Sequence, residues 1–63
     1  MDYKEMEETT EAMIRFGGSF VQSLGKLYRQ ADDDNRHRLV AAFPHYFSRY
    51  RQIAAQEFKR DAR

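Results

Sequence analysis

Apolar and small residues recur along the first half of the chain in an alternating three-four spacing: positions 6, 10, 13, 17, 20, 24, 27 and 31 are Met, Thr, Met, Gly, Phe, Leu, Leu and Ala. That spacing keeps one face of an α-helix in phase for nearly four heptads. The phase crosses Gly17 and Gly18 unshifted, which favours one long helix from about Tyr3 to Gln30 with Gly17 in its packing seam. A glycine in a helix interior costs about 1 kcal/mol against alanine. Two shorter helices hinged at Gly17-Gly18 are therefore the competing reading.

Asp32, Asp33, Asp34 and Asn35 end the stripe. Their side chains compete for backbone hydrogen bonds and favour turns and helix N-caps, so they predict a corner. With Asp32 or Asp33 as cap, the remaining acids sit in the next first turn, where the helix dipole favours them. A calcium loop is excluded, because the register lacks its glycine at position six and its glutamate at position twelve.

Leu39, Val40 and Phe43 then give a short apolar face on a helix of about ten residues. Pro44 removes a backbone donor and disfavours helical geometry at Phe43, yet suits a first helical position. A last helix is predicted from Pro44 to about Arg60. Its Tyr46, Phe47, Tyr50, Ile53, Ala54 and Phe58 fall within an arc of about 140° at 100° per residue. His45, Arg49, Gln52, Gln56, Lys59 and Arg60 take the opposite arc. The rings share the face that should be buried, so they read as core and not as a base-stacking platform, which exposes its rings among cations. The fold class is all-α: a single domain, residues 1–63, built as a small helical hairpin or bundle with a long N-terminal helix, a short helix and an amphipathic C-terminal helix.

Length changes this picture by limiting the core. A chain of 63 residues rarely extracts more than about 3 to 5 kcal/mol from one core, so association with a copy or a partner is expected. Cysteine is absent, which removes disulfides and thiolate metal sites and fits a cytoplasmic setting. The longest apolar run, Leu39 to Phe43, is far short of the roughly 20 residues that span a bilayer, and the acidic N-terminus does not resemble a signal peptide.

Charge divides the chain. Residues 1–34 carry four basic and eight acidic side chains, residues 35–63 seven basic and two acidic, within a net charge of +1. Folding at residues 31–35 into an antiparallel hairpin sets Glu5, Glu8 and Glu11 beside Lys59, Arg60 and Arg63, which accounts for the split internally. An active site needs a nucleophile with its base, coupled carboxylates or a metal cluster. His37 and His45 fall on polar faces, Ser19, Ser23 and Ser48 have no histidine at a useful spacing, and Gly17-Gly18 lack the strand and Lys-Ser/Thr of a phosphate loop. No enzyme, metal or cofactor is expected.

Residues 17–50, GGSFVQSLGKLYRQADDDNRHRLVAAFPHYFSRY, resemble short uncharacterised all-α proteins of phages and prophages that share an FV..L..LYR..D..NR.RL..AFP.YF.RY core. The resemblance covers about half the chain and implies no residue roles. It implies a class: small, cysteine-free phage proteins that act as stoichiometric inhibitors of host machinery, anti-CRISPR proteins among them. The expected function is a protein-binding module. Its partner-binding face would be acidic, Glu5, Glu7, Glu8 and Glu11 with Asp32, Asp33 and Asp34, aimed at the basic channel of a nucleic-acid-processing complex. The alternatives are nucleic-acid binding through Arg36, Arg38, His45, Arg49, Gln52, Lys59 and Arg60, and a purely structural oligomer.

Overall fold

The computed structural model describes residues 3–59 of the chain, with side chains to residue 58. Four helices follow one another: α1 Tyr3–Phe16, α2 Ser19–Gln30, α3 Asp33–Ala42 and α4 Pro44–Lys59. There is no strand among the described residues, and no helix there is long and apolar enough to cross a membrane.

The in-phase stripe does not build one long helix. α1 stops at Phe16, and the chain reverses through Gly17 and Gly18 so that α2 packs back on α1. An unbroken helix over residues 3–30 would be about 42 Å long at 1.5 Å per residue, beyond the 34 Å longest extent of the domain. Folding at the glycines instead buries part of the stripe, Met6, Thr10, Met13 and Leu24, between the helices. Met6 and Met13 of α1 and Val21 and Leu24 of α2 join Phe47 of α4 in one core.

Gly17 is needed there for space and not for handedness, since no residue has a positive φ. A Cβ on Gly17 would lie 2.6 Å from the Met13 carbonyl oxygen and 2.5 Å from Val21 Cγ1. Its N–H donates to Met13 at 3.0 Å, closing α1, and its carbonyl accepts from the Gln22 side-chain amide at 3.0 Å. Gly18, the N-cap of α2, has extended backbone and open space where a Cβ would go. The close helix approach expected at Gly17 occurs at Gly25. A Cβ there would stand 3.1 Å from Met13 Cβ and 3.3 Å from the Thr10 carbonyl oxygen across the α1–α2 seam.

The aspartate corner forms as expected. Asp32 caps α3 by accepting from the Asn35 N–H at 2.9 Å, with Asp33 and Asp34 in the first turn. Arg36 reaches back across the corner, donating from Nε to the Tyr28 carbonyl at 3.0 Å and from Nη2 to the Arg29 carbonyl at 3.2 Å. Its guanidinium lies 4.9 Å from the centre of the Tyr28 ring. An arginine of α3 thus serves the Arg29 carbonyl at the end of α2 and adds a second donor at the Tyr28 carbonyl, which also accepts from the Ala31 N–H at 3.2 Å.

Phe43 leaves helical geometry at φ −130°, ψ 55°, and Pro44 opens α4. α4 packs chiefly on α1. Thr9 and Ala12 on α1 and Ala54 on α4 are buried, and such small side chains let helix backbones approach. The Thr9 hydroxyl donates to the Glu5 carbonyl at 2.7 Å, and no buried side-chain N or O among the described residues lacks a partner.

Candidate interaction surface

Folding consumes much of the acidic flank of α1. Arg29 of α2 lies 3.3 Å from Glu11 Oε1 and 3.7 Å from Glu7 Oε1, and Glu11 also faces Arg15 at 3.8 Å. Glu5 pairs with Arg51 of α4 at 3.2 Å. Arg51 sits earlier in α4 than the Lys59, Arg60 and Arg63 expected beside Glu5, Glu8 and Glu11, and Phe58 near the end of α4 lines a shallow hollow with Glu8 and Glu11. The Lys59 side chain, Arg60 and Arg63 lie outside the described residues. Glu8 has no ion pair among the described residues. Asp33 reaches the same side of the molecule as Glu7, the two lining a cleft of about 420 Å³ with Arg29, Arg36 and His37. Asp32 is occupied as a cap, and Asp34 is exposed.

The basic set divides as well. Arg36 is half-buried and holds the α2–α3 corner. Arg38, His45, Arg49 and Gln52 are exposed, and the last three share one outward row of α4 at helical spacing. Arg38 stands apart from them at a groove between α2 and α3.

That groove belongs to a surface the periodicity misplaced. Phe20 and Leu27, expected in the buried seam, are 54% and 50% exposed, and Tyr46, expected in the buried arc of α4, is 39% exposed. The Phe20 ring lies 5.7 Å from Phe43, edge to face, and 5.6 Å from Tyr46. Beside them Leu27, Ala31, Leu39 and Ala42 wall a groove of about 500 Å³, with Gln30, Asn35 and Arg38 on its rim. The result is an apolar and aromatic strip along α2 and the α3–α4 junction.

The physical reason is that α2 is apolar over too wide an arc for one contact. Leu27, Phe20, Leu24, Tyr28 and Val21 span about 120° at 100° per residue. α1 covers the side carrying Val21, Leu24 and Gly25, while α3, which buries no residue completely, is too slight to cover the other. The width of that arc was the available signal in the sequence. No family model, curated protein or solved structure compared with the chain matches it.

Proposed function

We propose that the chain is a non-enzymatic protein-binding module that acts by occupying a surface, and that its contact surface is the strip of Phe20, Leu27, Phe43 and Tyr46. The observation carrying this reading is the half-exposure of Phe20 and Leu27 in a domain that has few large apolar side chains to spare. Contiguous exposed apolar surface with aromatic anchors is characteristic of protein contacts. The acidic flank supports it less well, because Arg29 and Arg51 already engage Glu5, Glu7 and Glu11. The likeness of residues 17–50 to phage and prophage proteins favours a stoichiometric inhibitor of host machinery, such as a CRISPR effector. Capture from a native host extract tests the surface: Phe20→Glu should lose the captured protein while Glu8→Lys keeps it. Capture unchanged by Phe20→Glu and by Leu27→Glu overturns the assignment.

A second reading is nucleic-acid binding through the outer row of α4, favoured by the exposure of His45, Arg49 and Gln52. Phosphate contacts predict affinity for random duplex that falls steeply with salt. Absence of binding at low salt retires it.

A further inference from the structure

We infer that the occupant of the strip is a short acidic amphipathic helix of another protein, laid along the groove between α2 and α3. The inference rests on the reading of the strip as a protein contact and names the chemistry of its partner. Both walls of the groove are helix faces, Leu27 and Ala31 on α2 and Arg38, Leu39 and Ala42 on α3. Two helices side by side leave a furrow that a third helix fills. A helical wall bonds its main chain within itself, and with no strand among the described residues there is no sheet edge to extend. An extended peptide would find no main-chain partner here, whereas a helix satisfies its own backbone. Phe20 to Ala31 covers about 16 Å of helix axis at 1.5 Å per residue, or about three turns. An occupant of that length sets one apolar side chain over the groove of about 500 Å³ beside Leu27 and another against Phe20 and Tyr46.

Charge sets the sign of the partner. Residues 12–31 and 35–56, which supply every residue of the strip, contain no acid. Some of their cations are spent: Arg15, Arg29 and Arg51 engage the acids of α1, and Arg36 holds the end of α2. Lys26, Arg38 and Arg49 are instead exposed with no ion pair among the described residues. Arg38 lines the groove itself and is its one charged wall residue. Lys26 lies four positions before Gln30 on the groove's rim, and Arg49 three after Tyr46, so each adjoins the strip on its own helix. The acids nearest in the chain, Asp32, Asp33 and Asp34, form the cap and first turn of α3, where the helix dipole favours them. A surface apolar along its middle and positive at its margin accepts carboxylates flanking an apolar line and repels lysines in the same places.

The probe is a display library of helical peptides of three to four turns, with apolar residues at three-four spacing and all flanking positions randomised, selected on the full chain. Binders should be enriched in Asp and Glu at the flanking positions and should associate more slowly as salt rises. Leu27→Glu should abolish their binding and Arg38→Glu should weaken it several-fold, both variants keeping the native helical circular dichroism. Selection on the double variant Lys26→Glu, Arg38→Glu should enrich Lys and Arg instead. A selection that yields no binder, binders without acidic bias, or a bias that persists on the double variant overturns the acidic helix as occupant. Binders indifferent to Leu27→Glu overturn the groove as their site. A Leu27-dependent dimer in light scattering, or Leu27-dependent binding of anionic vesicles in place of peptides, assigns the strip to a different occupant and likewise overturns this one. If the selection fails while Phe20→Glu still loses the captured host protein, the strip remains a protein contact and only the chemistry of its partner was misassigned. Capture that survives both Phe20→Glu and Leu27→Glu removes the contact itself.

Discussion

Arg29 of α2 donates from Nε to the hydroxyl of Thr10 on α1, a residue 1% exposed, at 3.0 Å, and that hydroxyl donates in turn to the Met6 carbonyl at 2.9 Å. The same guanidinium reaches the Glu7 carbonyl at 3.1 Å and the Glu11 carboxylate at 3.3 Å. One side chain thus ties both helices of the glycine hairpin together through a buried polar point and an exposed charged one.

Arg29→Ala should destabilise the domain by about 1 to 2 kcal/mol, chiefly through the lost bonds to Thr10 and the Glu7 carbonyl. The ion pairs with Glu7 and Glu11 are half-exposed and contribute little after screening. Most of the loss should therefore persist at high salt in urea unfolding. Arg29→Lys should recover only part of it, because a single ammonium cannot reproduce the planar fork.

The two hairpin glycines should respond in opposite directions. Gly17→Ala forces a Cβ to within 2.6 Å of a backbone oxygen that flexing side chains cannot relieve, and overpacking of this kind costs about 1 to 3 kcal/mol. Gly18→Ser meets open space and adds a hydroxyl at an N-cap that now has no side-chain bond, a gain of a few tenths of a kcal/mol. Thermal melts of the two variants give the comparison directly.

The same pair of positions shows how far the sequence could be read. The helical class, the aspartate cap, the start of α4 at Pro44 and the burial of Met6, Met13 and Phe47 were all legible, because each follows from local chemistry or from period alone. The break at Gly17-Gly18 was legible only as the weaker of two readings. An in-phase stripe fits a straight helix and a helix folded onto its own face equally well, and the choice depends on what remains to cover that face. Gly25 is the informative case. Gly17 lies on the three-four stripe and Gly25 one position off it, yet it is Gly25 that holds the close approach of Met13 and Thr10. The exposed strip was missed for a related reason: periodicity identifies an apolar face but not whether a neighbour large enough to cover it exists.

Asp32→Ala should cost about 1 kcal/mol, the usual loss of a helix N-cap, here the bond from the Asn35 N–H at 2.9 Å. Asp32→Asn should lose little of this, since its amide oxygen still accepts. Asp34→Ala, in the first turn without a capping bond, should lose only the dipole contribution of about 0.3 to 1 kcal/mol. The three variants, followed by circular dichroism, separate the hydrogen bond from the charge.

Phe47 and Tyr46 are adjacent in α4 and should fail in different assays. Phe47 is fully buried, its ring 5.5 Å from that of Tyr28, and a phenylalanine-to-alanine cavity costs about 3 to 5 kcal/mol. A domain of this size has about that much stability in total, so Phe47→Ala should be largely unfolded at 25 °C, whereas Phe47→Leu should remain folded with a lowered melting point. Tyr46 is 39% exposed beside Phe20 and Phe43, and Tyr46→Ala should cost about 1 kcal/mol or less in the isolated chain. Its larger effect should fall on the proposed protein contact, so that Tyr46→Ala loses most of the protein captured from a host extract while melting close to the native chain. Tyr46→Ala melting as far below the native chain as Phe47→Leu does, with capture unchanged, would show that Tyr46 serves the core and not the contact.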